Sequence, residues 1–98
     1  MIAQVFDSMG PAGPQTDEMR KFSEEAMAQG RSMDGCEATL SLADPATGKT
    51  LVINLFRDQA AMDAFQAYSN AKIAEVEKLP GGIKVSAPDV YTEVIALL

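Results

Sequence analysis

The sequence predicts a single α+β domain, residues 1–98, in which a four-stranded antiparallel sheet carries two helices on one face. Three observations lead there. Apolar residues alternate with polar ones at a period of two over 36–42, and a second strand-like run follows over 50–56. Over 16–30 and 59–78 the apolar spacing changes to three and four. Joined to apolar segments at both ends, these blocks follow in the order strand, helix, strand, strand, helix, strand. No repeat, linker or second domain interrupts them.

Residues 2–6 read as the first strand. Gly10, Pro11, Ala12, Gly13 and Pro14 then force a loop, since four of the five are Gly or Pro. Thr16 followed by Asp17 and Glu18 has the form of a helix N-cap with acids at the positive end of the helix. The helix runs to about Gly30, with Met19, Phe22, Ala26 and Met27 on its inward stripe. In the second strand Cys36, Ala38, Leu40 and Leu42 form a dry face against Glu37, Thr39 and Ser41. Turn formers from Asp44 to Lys49 lead straight into residues 50–56, so the two strands make a hairpin. With Leu42 opposite Leu51, the dry face gains Leu51, Ile53 and Leu55, and Val52, Asn54 and Phe56 share the other side. Asp58 caps a second helix over 59–78, a stretch free of Gly and Pro, whose inward residues are Met62, Phe65, Ser69, Ile73 and Val76. Leu79 to Gly82 ends it. Residues 90–98 read as the last strand, with Tyr91, Glu93, Ile95 and Leu97 on one side of it.

Composition narrows the function classes. Fourteen acidic residues against eight basic ones give a net charge of −6, which repels nucleic acid and anionic lipid. No apolar stretch approaches the ~18–20 residues that cross a bilayer, and no basic segment precedes the apolar start, so the expectation is a cytoplasmic chain without a membrane partner. Cys36 is the only cysteine and there is no histidine. That removes a disulfide framework, a thiolate metal cage and the commonest general base together, so neither a metal nor a cofactor is expected.

Two helices cover one face of such a sheet and leave the other bare. Four strands at ~4.8 Å spacing and ~5 residues each present about 300 Å² of projected area. At ~25 cal/mol per Å², covering it contributes on the order of 8 kcal/mol before association costs, comparable with a small domain's whole stability. A symmetric homodimer is the expected cover.

The stretch from Met33-Asp34-Gly35-Cys36-Glu37-Ala38 through Asp44-Pro45 and Gly48-Lys49 to Leu51–Phe56, Arg57-Asp58-Gln59-Ala60-Ala61 resembles the antibiotic biosynthesis monooxygenase type of protein. The resemblance implies a ferredoxin-like β-α-β-β-α-β sandwich that pairs into a dimeric α+β barrel. It also implies a pocket between helices and sheet for a small apolar, aromatic or polyketide-like molecule, oxidised by molecular oxygen without metal or flavin. On that reading the mixed sheet face lines the pocket with Gln4, Phe6, Thr39, Asn54, Phe56, Tyr91 and Glu93. Phe22, Met62, Phe65 and Tyr68 close it from the helices. Phe56 stands where the family usually has tryptophan, and Gln66 stands about where haem-degrading members carry an iron-binding histidine, which argues against haem chemistry here.

Asn54, Tyr91 and Glu93 are the candidates for orienting a phenol and taking its proton. Each also has a packing explanation: a structural hydrogen bond for Asn54, a helix–sheet boundary ring for Tyr68 or Tyr91, a rim or interface charge for Glu93. Two readings stand side by side, a cofactor-independent oxygenase and a non-catalytic dimer that binds a small apolar ligand or serves as an interaction module.

Overall fold

The structure is a computed structural model and describes residues 1–81 and 83–97. Its elements are β1 (Ile2–Met9), α1 (Asp17–Arg31), β2 (Cys36–Asp44), β3 (Lys49–Phe56), α2 (Gln59–Glu77), β4 (Lys84–Val85) and β5 (Asp89–Tyr91). This is the α+β ferredoxin-like order expected, with an antiparallel sheet and two helices. Both caps form as read: Thr16 Oγ1 accepts from the Met19 N–H at 3.1 Å, and Asp58 Oδ1 accepts from the Ala61 N–H at 2.9 Å.

The sheet order is β2-β3-β1, with β4 and β5 both pairing the outer edge of β1. β4 lies against Ser8 and Met9, and β5 against Ala3 to Val5. The last strand expected over 90–98 is therefore cut to β5 at its start, an unexpected short strand β4 precedes it with Ser86 to Pro88 between them, and residues 92–97 have no regular structure; Leu98 lies outside the described residues. Pro88 has no N–H to give to a ladder, which suits it to such a break.

Direct cross-strand partners point to the same side of a sheet, so the register fixes the faces. Thr39, Asn54 and Gln4 form one row toward the helices, and Ser41, Val52 and Phe6 the next. Leu42, Leu51 and Asp7, then Leu40, Ile53 and Val5, point away. Leu42 opposite Leu51 is the pairing the hairpin required. Two face assignments are corrected. A bulge between Cys36 and Ala38 turns Cys36 over, so its thiol sits opposite Phe56 on the helix side and not on the dry face. Tyr91 pairs with Ala3, which puts its side chain on the open face, while Val90 pairs with Gln4.

The core occupies one end of the helix–sheet layer, where Cys36, Phe56, Ala61, Met62 and Phe65 pack together. Phe56 and Phe65 meet edge to face at 5.0 Å between centroids. Burial pushes the Cys36 thiol up, with Arg31 opposing. Gly35, at φ +82°, lets this end close: a Cβ there would clash with the Cβ of Ala61.

Candidate functional site

Beyond that core the two layers separate and enclose a cavity of about 290 Å³. Its walls differ in kind. The sheet floor carries short polar side chains, Ser8, Thr39, Ser41, Thr50 and Asn54, among Phe6 and Val52. The helices contribute a greasy roof that includes Met19, Phe22, Met27, Ile73 and Val76. Such a space suits a flat apolar molecule with oxygen functions on one edge.

Asn54 is the most constrained polar group on the floor. Only 5 % of it is exposed, and its Oδ1 accepts from Thr39 Oγ1 at 2.8 Å. Its carboxamide nitrogen pairs with no acceptor among the described residues and remains a donor in a cavity-lining side chain. Beside it in the row, Gln4 is 1 % exposed and donates from Nε2 to Gln66 Oε1 at 3.2 Å; Gln66 in turn donates to Asn70. Gln4 Oε1 is buried with no hydrogen-bond partner among the described residues. Buried amides cost ~1–3 kcal/mol when unpaired, so this row is maintained at the expense of stability.

Tyr68 is fixed from the opposite wall. Its hydroxyl donates to the Ala26 carbonyl at 2.6 Å and lies 3.3 Å from Gln29 Oε1, tying α2 to α1. Burial pushes its pKa up, partly offset by Lys72. Its ring faces the cavity while its hydroxyl is already engaged. Lys72, one turn further along α2, also lines the wall.

Of the residues that the sequence proposed, Phe6, Phe22, Thr39, Asn54, Phe65 and Tyr68 come together around the cavity. Phe56 and Met62 lie instead in the packed core at its closed end, and Gln4, on the helix side of the sheet, is held against Gln66 and is not part of the lining. Tyr91 is 54 % exposed on the other face, and Glu93, also exposed, follows it outside the cavity. Sequence reasoning passed over Lys72, although a signal existed: it falls on the stripe Phe65, Ser69, Lys72, Val76, at intervals of three and four.

The mouth is framed by two loops. The Gly10 N–H donates to the Gly48 carbonyl at 3.0 Å and the Gly13 N–H to the Pro45 carbonyl at 2.6 Å, stitching the β1–α1 loop to the hairpin tip. Gly48 has φ +81°, and a Cβ on it would run into the Gly10 carbonyl oxygen. Among the described residues no cluster of three or more His, Cys, Asp or Glu side chains is placed to hold a metal, and no helix is long and apolar enough to cross a membrane.

No family model matches the sequence, and no curated protein matches it. Solved structures do. A protein of Deinococcus radiodurans provisionally named an antibiotic biosynthesis monooxygenase superposes with a TM-score of 0.72 at 18% identity, covering 100% of this chain and 97% of that one. One from Chloroflexus aurantiacus with the same provisional name gives 0.63 at 16% identity, with 99% and 97% covered. A third, from Nitrosomonas europaea, gives 0.62 at 15% identity, with 97% and 100% covered. The resemblance carried by residues 33–61 therefore extends along the whole chain as a shared fold, the ferredoxin-like α+β fold of structures named as antibiotic biosynthesis monooxygenases.

Proposed function

We propose that this chain is a homodimeric, cofactor-independent oxygenase whose cavity takes a small aromatic or polyketide-like phenol. The observation that carries the reading is the two-sided cavity, apolar above and lined below by neutral hydrogen-bonding groups with the Asn54 amide donor unspent. An electron-rich phenol lies flat beneath the helices with its oxygen toward Asn54, whose N–H stabilises the ionised oxygen. Oxygen then reacts at a ring carbon bearing hydrogen. One atom becomes a quinone carbonyl and the other leaves as water, which carries off the ring hydrogen and the phenol proton; the substrate supplies all four electrons. The open sheet face supports the homodimer: Leu40 and Leu42 are 49 % and 51 % exposed, beside Val5 and Ile53, and beyond the sheet Ile95 and Leu97 are almost wholly exposed. Lone exposed leucines are ordinary, but neighbouring ones on one sheet face are what a partner subunit would cover.

Oxygen uptake by metal-free protein with a dihydroxyanthracene-type phenol tests the proposal. Uptake above the buffer rate, lowered by Asn54→Leu, is the expected result. A second reading, ligand binding without turnover, is favoured by one observation: the titratable side chains of the lining are Asp44 and Lys49 near the mouth and Tyr68 and Lys72 on the helix wall, with no carboxylate deep inside. Binding seen by fluorescence with uptake equal to buffer would select that reading.

A further inference from the structure

In a chain carrying net charge −6, a cation placed on the greasy wall of a cavity is unexpected. Lys72 is such a cation. Its side chain is 28% exposed, and its ammonium lies 5.9 Å from the centroid of Phe22 and 5.7 Å from that of Tyr68. Both rings line the cavity, as Lys72 itself does. Among the described residues the carboxylate paired with it is Glu75, at 3.4 Å, whose side chain is 55% exposed. Glu75 is absent from the lining, whereas Lys72 is part of it. The ammonium is thus held by two ring faces and one solvated carboxylate, an arrangement that leaves donor capacity toward the cavity, since a lysine has three N–H groups.

We infer that Lys72 is the anion-recognition group of this cavity, selecting flat aromatic ligands that carry, besides the phenol oxygen met by Asn54, an anionic substituent such as a carboxylate or sulfonate. The inference rests on the reading of the cavity as a ligand site and names the charge of what enters it. The ring system fills the space beneath Met19, Met27 and Ile73, and the anionic oxygen meets the ammonium between Phe22 and Tyr68. Glu75 competes for the same cation from outside. Removing the lysine charge and removing the Glu75 charge therefore act in opposite directions.

Two fluorescent probes of nearly equal shape separate charge from fit: 8-anilinonaphthalene-1-sulfonate and neutral N-phenyl-1-naphthylamine. Lys72→Met keeps most of the apolar stem and should weaken the sulfonate about tenfold, the equivalent of one partly screened ion pair, while changing the neutral probe less than about twofold. Glu75→Gln, a substitution on an exposed side chain, should tighten the sulfonate a few-fold and leave the neutral probe alone. Raising salt should weaken only the sulfonate. Equal losses for both probes in Lys72→Met, or weaker sulfonate binding in Glu75→Gln, would overturn the assignment while the cavity stands. Failure of both probes to bind the wild-type protein would remove the cavity reading itself, and the assignment with it.

Discussion

Asn54 allows the ligand reading and the packing reading to be separated by measurement. Its Oδ1 accepts one neutral O–H···O bond of 2.8 Å from Thr39, in a residue only 5 % exposed. A bond of that kind contributes about 1 kcal/mol net, and deleting one partner costs about 1–3 kcal/mol because the other is left unsatisfied. Asn54→Leu should therefore lower the unfolding free energy by about 1–2 kcal/mol, the lower part of that range because half-buried Thr39 retains some access to water in the cavity. Thr39→Val removes the orphaned hydroxyl, and the double variant Thr39→Val/Asn54→Leu should recover to within about 0.5 kcal/mol of wild type, as apolar replacement of both partners of a buried pair is nearly neutral. Urea denaturation at constant m-value measures all four corners of the cycle. Ligand binding should not follow stability: an oxygen-bearing aromatic should bind about tenfold more weakly to the double variant, since the Asn54 N–H donor is gone in it too. A double variant that stays as unstable as Asn54→Leu and binds ligand like wild type would refute the reasoning, because Asn54 would then be a packing residue with a structural bond.

The remaining predictions concern the frame of the site. Gly48→Ala should destabilise by at least about 1–3 kcal/mol in thermal or urea unfolding, because its φ of +81° is unfavourable for alanine and the new Cβ meets the Gly10 carbonyl; an unchanged midpoint would contradict the stitched mouth. Asp58 is held below the ordinary aspartate range chiefly by the Ala61 N–H that donates to it, with Arg57 helping and partial desolvation opposing. Its contribution is therefore present above the ordinary aspartate pKa and is lost as pH falls through the lowered folded-state value; Asp58→Asn should flatten that part of the acid limb of the stability–pH curve. Sedimentation at micromolar concentration should show a dimer for wild type and a monomer for Leu40→Asp/Leu42→Asp, and a monomeric wild type would remove the homodimer proposal.

Most of the fold was legible because the two periods were unambiguous where one face of an element was polar. Leu40 and Leu42 against Thr39 and Ser41, and Thr16 and Asp58 ahead of their helices, needed no tertiary information. Legibility failed where that contrast was missing. Val90 and Tyr91 are both large and apolar, so nothing in the sequence said which faced the helices, and one residue of parity moved Tyr91 out of the site. The bulge after Cys36 left no mark in composition and flipped the cysteine into the core. Within the site, residue type and periodicity found Asn54, Thr39, Phe6 and the helix aromatics. The engagement of the Tyr68 hydroxyl with a backbone carbonyl 42 positions away could come only from the packed structure.

The lacing of the cavity mouth has a consequence for how ligand range can change. Gly10 and Gly13 attach to the hairpin through main-chain atoms alone, so the side chains of Pro11 and Pro14, which line the cavity, bear none of those two connections. Substituting them reshapes the doorway without loosening its hinges. A lineage, or an engineer, can therefore alter what passes into the chamber by trading residues at these outer positions, leaving untouched the interior row where Thr39 and Asn54 meet.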